Sequence, residues 1–132
     1  MLSSWALSRI QSKIAEFRKT QRRDFYTPDH ALAKKLEVPS SDEMYICCDC
    51  SVRNNGSCGY IITNRGIYTK AWMSIVTHFI SFEKLARVSD IEPGRYIEAD
   101  GELIAYADDV GWFELTDLIE SIRDIARQDL GI

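Results

Sequence analysis

Between Ser4 and Arg22 the apolar residues Leu7, Ile10, Ile14 and Phe17 recur at spacings of three and four, which predicts an amphipathic helix with one buried stripe. Its other face carries Arg9, Lys13 and Arg18. It ends in the basic cluster Arg18, Lys19, Arg22 and Arg23, where positive charge suits the C-terminal end of a helix dipole. Thr27 as a capping hydroxyl, Pro28 at the first helical position and Asp29 in the first turn predict a second helix that ends near Leu36. Pro39, Ser40 and Ser41 then form a polar link. The N-terminal stripe is too small to fold alone, so residues 1–132 are expected to be one domain. Within it, 1–40 form a helical extension and 44–132 a β core with a C-terminal helix.

From Met44 the period changes. Short runs of β-forming residues lie at Met44 to Cys50, Gly59 to Thr63, Ile67 to Trp72, Ile75 to Phe82, Tyr96 to Ala99 and Leu103 to Ala107, with turn residues between them. An antiparallel meander follows. Thr63, Asn64 and Arg65 suit a type I turn, with Gly66 in the left-handed conformation of a bulged hairpin loop. Asp100-Gly101 marks a second hairpin. From Phe113 to Gln128 a broad stripe of Leu115, Leu118, Ile119, Ile122, Ile125 and Ala126 predicts a helix lying against the sheet. Its acidic residues Glu114, Asp117, Glu120 and Asp124 then face water. The class is α+β: two N-terminal helices, a bent antiparallel sheet or partly open barrel of five to seven strands, and a C-terminal helix packed on it.

Charge divides the chain unevenly. Residues 1–40 hold eight Lys/Arg against four Asp/Glu, and the remainder eight against sixteen. Between Glu98 and Asp129 there are ten acidic residues and two basic ones, Arg123 and Arg127. Such a surface repels phosphate backbones, which disfavours nucleic acid as a partner, and it suits a basic protein. It serves equally as a solvated face that keeps the protein soluble. The first helix offers the opposite sign at Arg18, Lys19, Arg22 and Arg23. A helix docked on its own core looks the same in sequence as one lying on a membrane surface or on nucleic acid. No stretch reaches the length and apolarity of a transmembrane helix.

The four cysteines, Cys47, Cys48, Cys50 and Cys58, fall within twelve residues, and no signal-peptide pattern precedes them. Reduced thiols in a cytoplasmic setting are expected. Their spacing lacks the paired CxxC of a zinc knuckle, and strand alternation sends Cys48 and Cys50 to one face and Cys47 to the other. Small buried core thiols are expected, with no metal and no cofactor. His78 sits in an apolar run and His30 in the first turn of a helix. Neither carries a local signature that ties it to a nucleophile, and Asp108-Asp109 reads as the approach to the last helix. Neither hairpin glycine belongs to a phosphate loop. No catalytic residues are assigned.

The run "MYICCDCSVRNNGSCGYIITNRGIYTKAW", followed at a distance by "HFISFEKL", resembles bacterial pleckstrin-homology-like modules. The matching positions are Gly59, Tyr60, Thr63, Asn64, Gly66, Ile67, Tyr68, Ile80, Ser81, Phe82 and Leu85. The resemblance implies a strongly bent antiparallel sheet closed at one end by the C-terminal helix, with no shared catalytic residues. The expected function is a non-catalytic protein-binding or regulatory module. The alternative is an immunity or inhibitor protein that neutralises a basic toxin or nuclease through the acidic C-terminal face. A small hydrolase ranks third for want of any motif.

Overall fold

The computed structural model describes residues 1–21, 25, 30–51, 55–107 and 111–132. In chain order they form α1 (Ser4–Thr20), α2 (Ala31–Lys35), β1 (Met44–Asp49), β2 (Gly59–Thr63), β3 (Gly66–Lys70), β4 (His78–Ser81), α3 (Phe82–Leu85), β5 (Tyr96–Ala99), β6 (Glu102–Tyr106) and α4 (Trp112–Leu130). The class is α+β. The six strands form two antiparallel sheets, β1-β2-β3-β4 and β5-β6, and among the described residues they do not close into a barrel. The sheets meet through a side chain. Thr69, wholly buried in β3, donates through Oγ1 to the Gly59 carbonyl (2.7 Å) and accepts the Tyr106 backbone N–H of β6 (2.8 Å). One hydroxyl thus satisfies a backbone donor of the small sheet while bonding back into the main one.

Strand alternation sorts the main sheet into two faces. Ile46, Cys48, Tyr60, Ile62, Ile67 and Ile80 point into the principal core, which they share with Ile97, Ile104 and Ala105 of the small sheet and with the stripes of α1 and α4. Cys47, Ile61 and Tyr68 point the other way and are covered by Leu32, Ala33 and Leu36 of the α2 region. The separation of Cys47 from Cys48 and Cys50 follows the expected alternation, and none of the four thiols is in a disulfide.

The α1 stripe is docked on this core, with Ala6, Ile10, Ile14 and Phe17 buried. Ser3 caps α1 by accepting from the Ala6 N–H, and its own N–H and hydroxyl donate to Asp129 near the end of α4 (2.9 and 2.5 Å). The six residues expected to line the inner face of α4 are all buried. The α4 backbone runs nearest to α1 and α3, and its stripe shares the principal core with the strands. Arg123 and Arg127 donate to the carbonyls of Ser89, Ala86 and Val88, which fastens α4 to the segment leaving α3.

Three local expectations change. The second helix was expected to start at Thr27 and Pro28, which lie outside the described residues. The helix found begins at Ala31, and His30 caps it by accepting the Leu32 N–H at Nδ1 (3.2 Å). The run Ile75 to Phe82 yields only a four-residue strand, His78–Ser81. Ser81 then caps α3 by accepting the Lys84 N–H (3.1 Å), and Glu83 adds favourable charge in that first turn. Gly66 is not left-handed: it is the first residue of β3, paired with Ser81 of β4. A Cβ there would stand 2.1 Å from the Ile80 carbonyl oxygen, so glycine is required by the approach of β4.

Candidate binding surfaces

The acidic residues of α4 emerge on the side away from the core, because Leu115, Leu118, Ile119 and Ile122 occupy the opposite face. Glu114, Asp117 and Asp124 are exposed and Glu120 is half-buried. Glu114 and Asp117 line a groove of about 240 Å³ between α4 and α1, to which α1 contributes Lys13, Glu16, Phe17 and Thr20. Lys13 lies 3.7 Å from Glu16. The groove therefore has an apolar floor in Phe17 and Leu118 and three carboxylates against one ammonium. Asp124 lies away from the groove-lining residues, beside Arg123 (3.9 Å). Of the four acidic candidates, the fold brings two to the groove. It adds Glu16, which no reading of α4 alone could supply.

The basic candidates divide. Arg18 donates to the Tyr45 carbonyl (3.3 Å) and its guanidinium lies over the Phe25 ring (5.3 Å), so it is engaged with the protein's own surface. Lys19 is exposed. Arg22 and Arg23 lie outside the described residues.

The corner at Asn64-Arg65 is held by a buried carboxylate that the sequence did not single out. Asp42 Oδ2 accepts the Thr63 hydroxyl (3.1 Å) and the Tyr68 phenol (2.9 Å), and Arg65 stands 3.6 Å from Oδ1. Asn64 exchanges hydrogen bonds with the Glu43 backbone, both 2.9 Å. Burial, reinforced by the Asp42 hydrogen bond and charge and opposed by Arg65, pushes the Tyr68 phenol up to about 12. These contacts tie the hairpin to the chain entering β1. The turn is a corner of the sheet.

A second buried carboxylate organises the opposite end. Asp49 accepts the Ser51 N–H (2.9 Å), the Ser51 hydroxyl and the Gly56 N–H (2.8 Å), with His30 Nε2 3.5 Å from Oδ2. Because His30 Nδ1 accepts a backbone N–H, the arrangement fits the Nε2–H tautomer. Ser51 bonds to Asp49 directly, so the imidazole does not stand between hydroxyl and carboxylate as serine activation requires. Cys47 is buried, and that burial, with Cys48 and Asp49 nearby, pushes its thiol up to about 12, far from the thiolate a nucleophile needs. Cys48 and Cys50 sulfurs lie 3.8 Å apart on the other face. Among the described residues no group of three or more His, Cys, Asp or Glu side chains is arranged to hold a metal ion. No described helix is long and apolar enough to cross a membrane.

Comparisons with family models, with curated proteins and with solved structures find no match to this chain.

Proposed function

We propose that this chain is a non-catalytic protein-binding module whose partner presents basic side chains to the groove between α1 and α4. The observation that carries this reading is the convergence of Glu16, Glu114 and Asp117 around an apolar floor on a chain of net charge −4. A lysine or arginine stem packs on Phe17 and Leu118 while its charged head meets the carboxylates. The reading keeps the resemblance to pleckstrin-homology-like modules as its fold-level expectation, alongside a four-stranded meander, a second small sheet and a C-terminal helix. The narrower alternative, an inhibitor of a basic toxin or nuclease, rests on the same acidic surface.

Affinity capture from the native host, with association rates measured on the captured protein, tests the reading. Glu114→Lys with Asp117→Lys is expected to slow association about tenfold or more, and Arg18→Glu with Lys19→Glu to change it little. The reverse ranking removes the groove from the proposal. Loss of a captured toxin's inhibition in the first variant selects the narrower alternative.

A further inference from the structure

Cys48 in β1 and Cys50 just beyond its end turn to the same side of the main sheet, where both pack on the principal core. Their sulfurs are 3.8 Å apart. Cys48 is 1% exposed and Cys50 half-buried, so a small solute arriving from outside meets Cys50 first. Cys47 faces the other side of the sheet, under the α2 region. Cys58 lies across the ladder, where its carbonyl accepts the Cys50 N–H (3.0 Å), and it is the competing partner.

Between the two thiols stands Asp49. Its carboxylate accepts the Ser51 and Gly56 N–H groups and faces His30 Nε2. Gly56 lies against the start of α2: a Cβ on it would stand 2.7 Å from the Ala31 carbonyl carbon. His30 caps the same helix through the Leu32 N–H. The seat of α2 therefore hangs on one carboxylate flanked on both sides by cysteine. In an extended strand, Cα atoms two residues apart are separated by about 6.8 Å, the long end of the span that a disulfide bridges. Joining these sulfurs closes their separation from 3.8 Å to about 2 Å and draws the backbone at Asp49 out of its strand geometry.

We propose that Cys48 and Cys50 form a redox switch, in which hydrogen peroxide converts the two thiols to a disulfide and the change at Asp49 loosens the seat of α2. The Cys50 sulfur, as thiolate, attacks one peroxide oxygen, the O–O bond breaks, hydroxide leaves, and Cys50 becomes a sulfenic acid. The Cys48 sulfur then attacks the Cys50 sulfur and expels the second oxygen as hydroxide, and the two thiol protons complete two waters. The two sulfurs together lose two electrons, which the peroxide gains. No unusually acidic thiol is needed, because the 3.8 Å separation makes the second step intramolecular and favours it over further oxidation of the sulfenic acid. A thiol reductant reverses the bond by exchange. None of this rests on the groove between α1 and α4.

Peroxide treatment of the reduced full chain, followed by alkylation, trypsin and mass spectrometry, tests the chemistry. Cleavage after Lys35, Arg53 and Arg65 separates a fragment 36–53 that holds Cys47, Cys48 and Cys50 from a fragment 54–65 that holds Cys58. The expected product is fragment 36–53 lighter by two hydrogens, alkylated only at Cys47 and not linked to 54–65. Sulfoxide at Met44 adds an oxygen and is told apart by mass. Cys47→Ala is expected to keep the bridge and Cys50→Ser to abolish it. Amide hydrogen exchange tests the consequence. At Gly56 and Leu32 it is expected to quicken about tenfold or more on oxidation, to recover with dithiothreitol, and to ignore peroxide in Cys50→Ser. Four free thiols after peroxide, a bridge that includes Cys47 or Cys58, or sulfinic acid at Cys50 overturns the proposal. So does a Cys48–Cys50 disulfide that leaves exchange at Gly56 and Leu32 unchanged.

Discussion

The hairpin between β2 and β3 and the hairpin between β5 and β6 look alike in sequence, each a polar turn with a glycine at its exit, and they are built on different physics. At Asp100-Gly101 both residues have positive φ, 52° and 80°, as a tight two-residue turn of type I′ requires, and a Cβ on Gly101 would meet nothing within 4 Å. At Asn64-Arg65-Gly66 none of the three is left-handed. The chain turns there under the hold of Asp42 and the Glu43 backbone, and Gly66 is glycine because β4 passes over it. A turn made by its own dihedrals can be read from the residues that adopt them. A turn made by distant contacts cannot.

The largest effect expected from this contrast is at Gly66. In Gly66→Ala the new Cβ would lie 2.1 Å from the Ile80 carbonyl oxygen and 2.9 Å from Ser81 Cα. Both are backbone atoms that no rotamer change can move aside. β3 and β4 must separate, at a cost of about 3 kcal/mol. Chemical denaturation reads this as a lowered midpoint; a midpoint equal to that of wild type would mean the two strands do not approach so closely.

This distinction also sets what was legible elsewhere. The stripes of α1 and α4 were readable because helical periodicity alone decides which residues share a face: Ile10, Ile14 and Phe17 are buried as read, Ala6 rather than the partly buried Leu7 completes the first stripe, and all six residues read for α4 are buried. The small α3 was not, since Phe82 ends an apolar run, a four-residue helix is too short to show a period, and only the cap at Ser81 marks the change from strand to helix. Ile75 and Val76 were read as strand because β-branched apolar residues favour sheets, whereas they lie exposed before β4 begins. Glu114 and Asp117 were identified from the outer face of α4. Their groove partner Glu16 depends on the docking of α1, a tertiary event that leaves no local signal.

The next effect is at the anchor of the first hairpin. Asp42→Ala would leave the Tyr68 phenol and Thr63 hydroxyl without their buried acceptor and Arg65 without its ion-pair partner, a loss of about 1–3 kcal/mol. The same cluster predicts an alkaline limit. The folded phenol titrates near 12 and the unfolded one near its ordinary value of 10, so the unfolded state releases its proton first and stability falls as pH rises through that window. Tyr68→Phe should flatten this part of the profile in thermal melts taken from pH 9 upward. An unchanged slope would detach the alkaline loss from Tyr68.

The smallest effect belongs to the hairpin that the sequence explains best. Gly101→Ala meets no atom within 4 Å, so its only penalty is the positive φ of 80°, about 1 kcal/mol. Gly101→Asn should cost less, because asparagine tolerates the left-handed region through local hydrogen bonding of its short side chain. At Gly66 the same pair should rank the other way: asparagine carries the same offending Cβ as alanine and more bulk behind it, so conformational tolerance gives no relief. Denaturation midpoints of the four variants decide the matter. Asn above Ala at position 101, and Asn at or below Ala at position 66, is the pattern expected if dihedral preference makes one hairpin and strand contact makes the other. Rescue by asparagine at both positions would return Gly66 to the left-handed turn first expected of it.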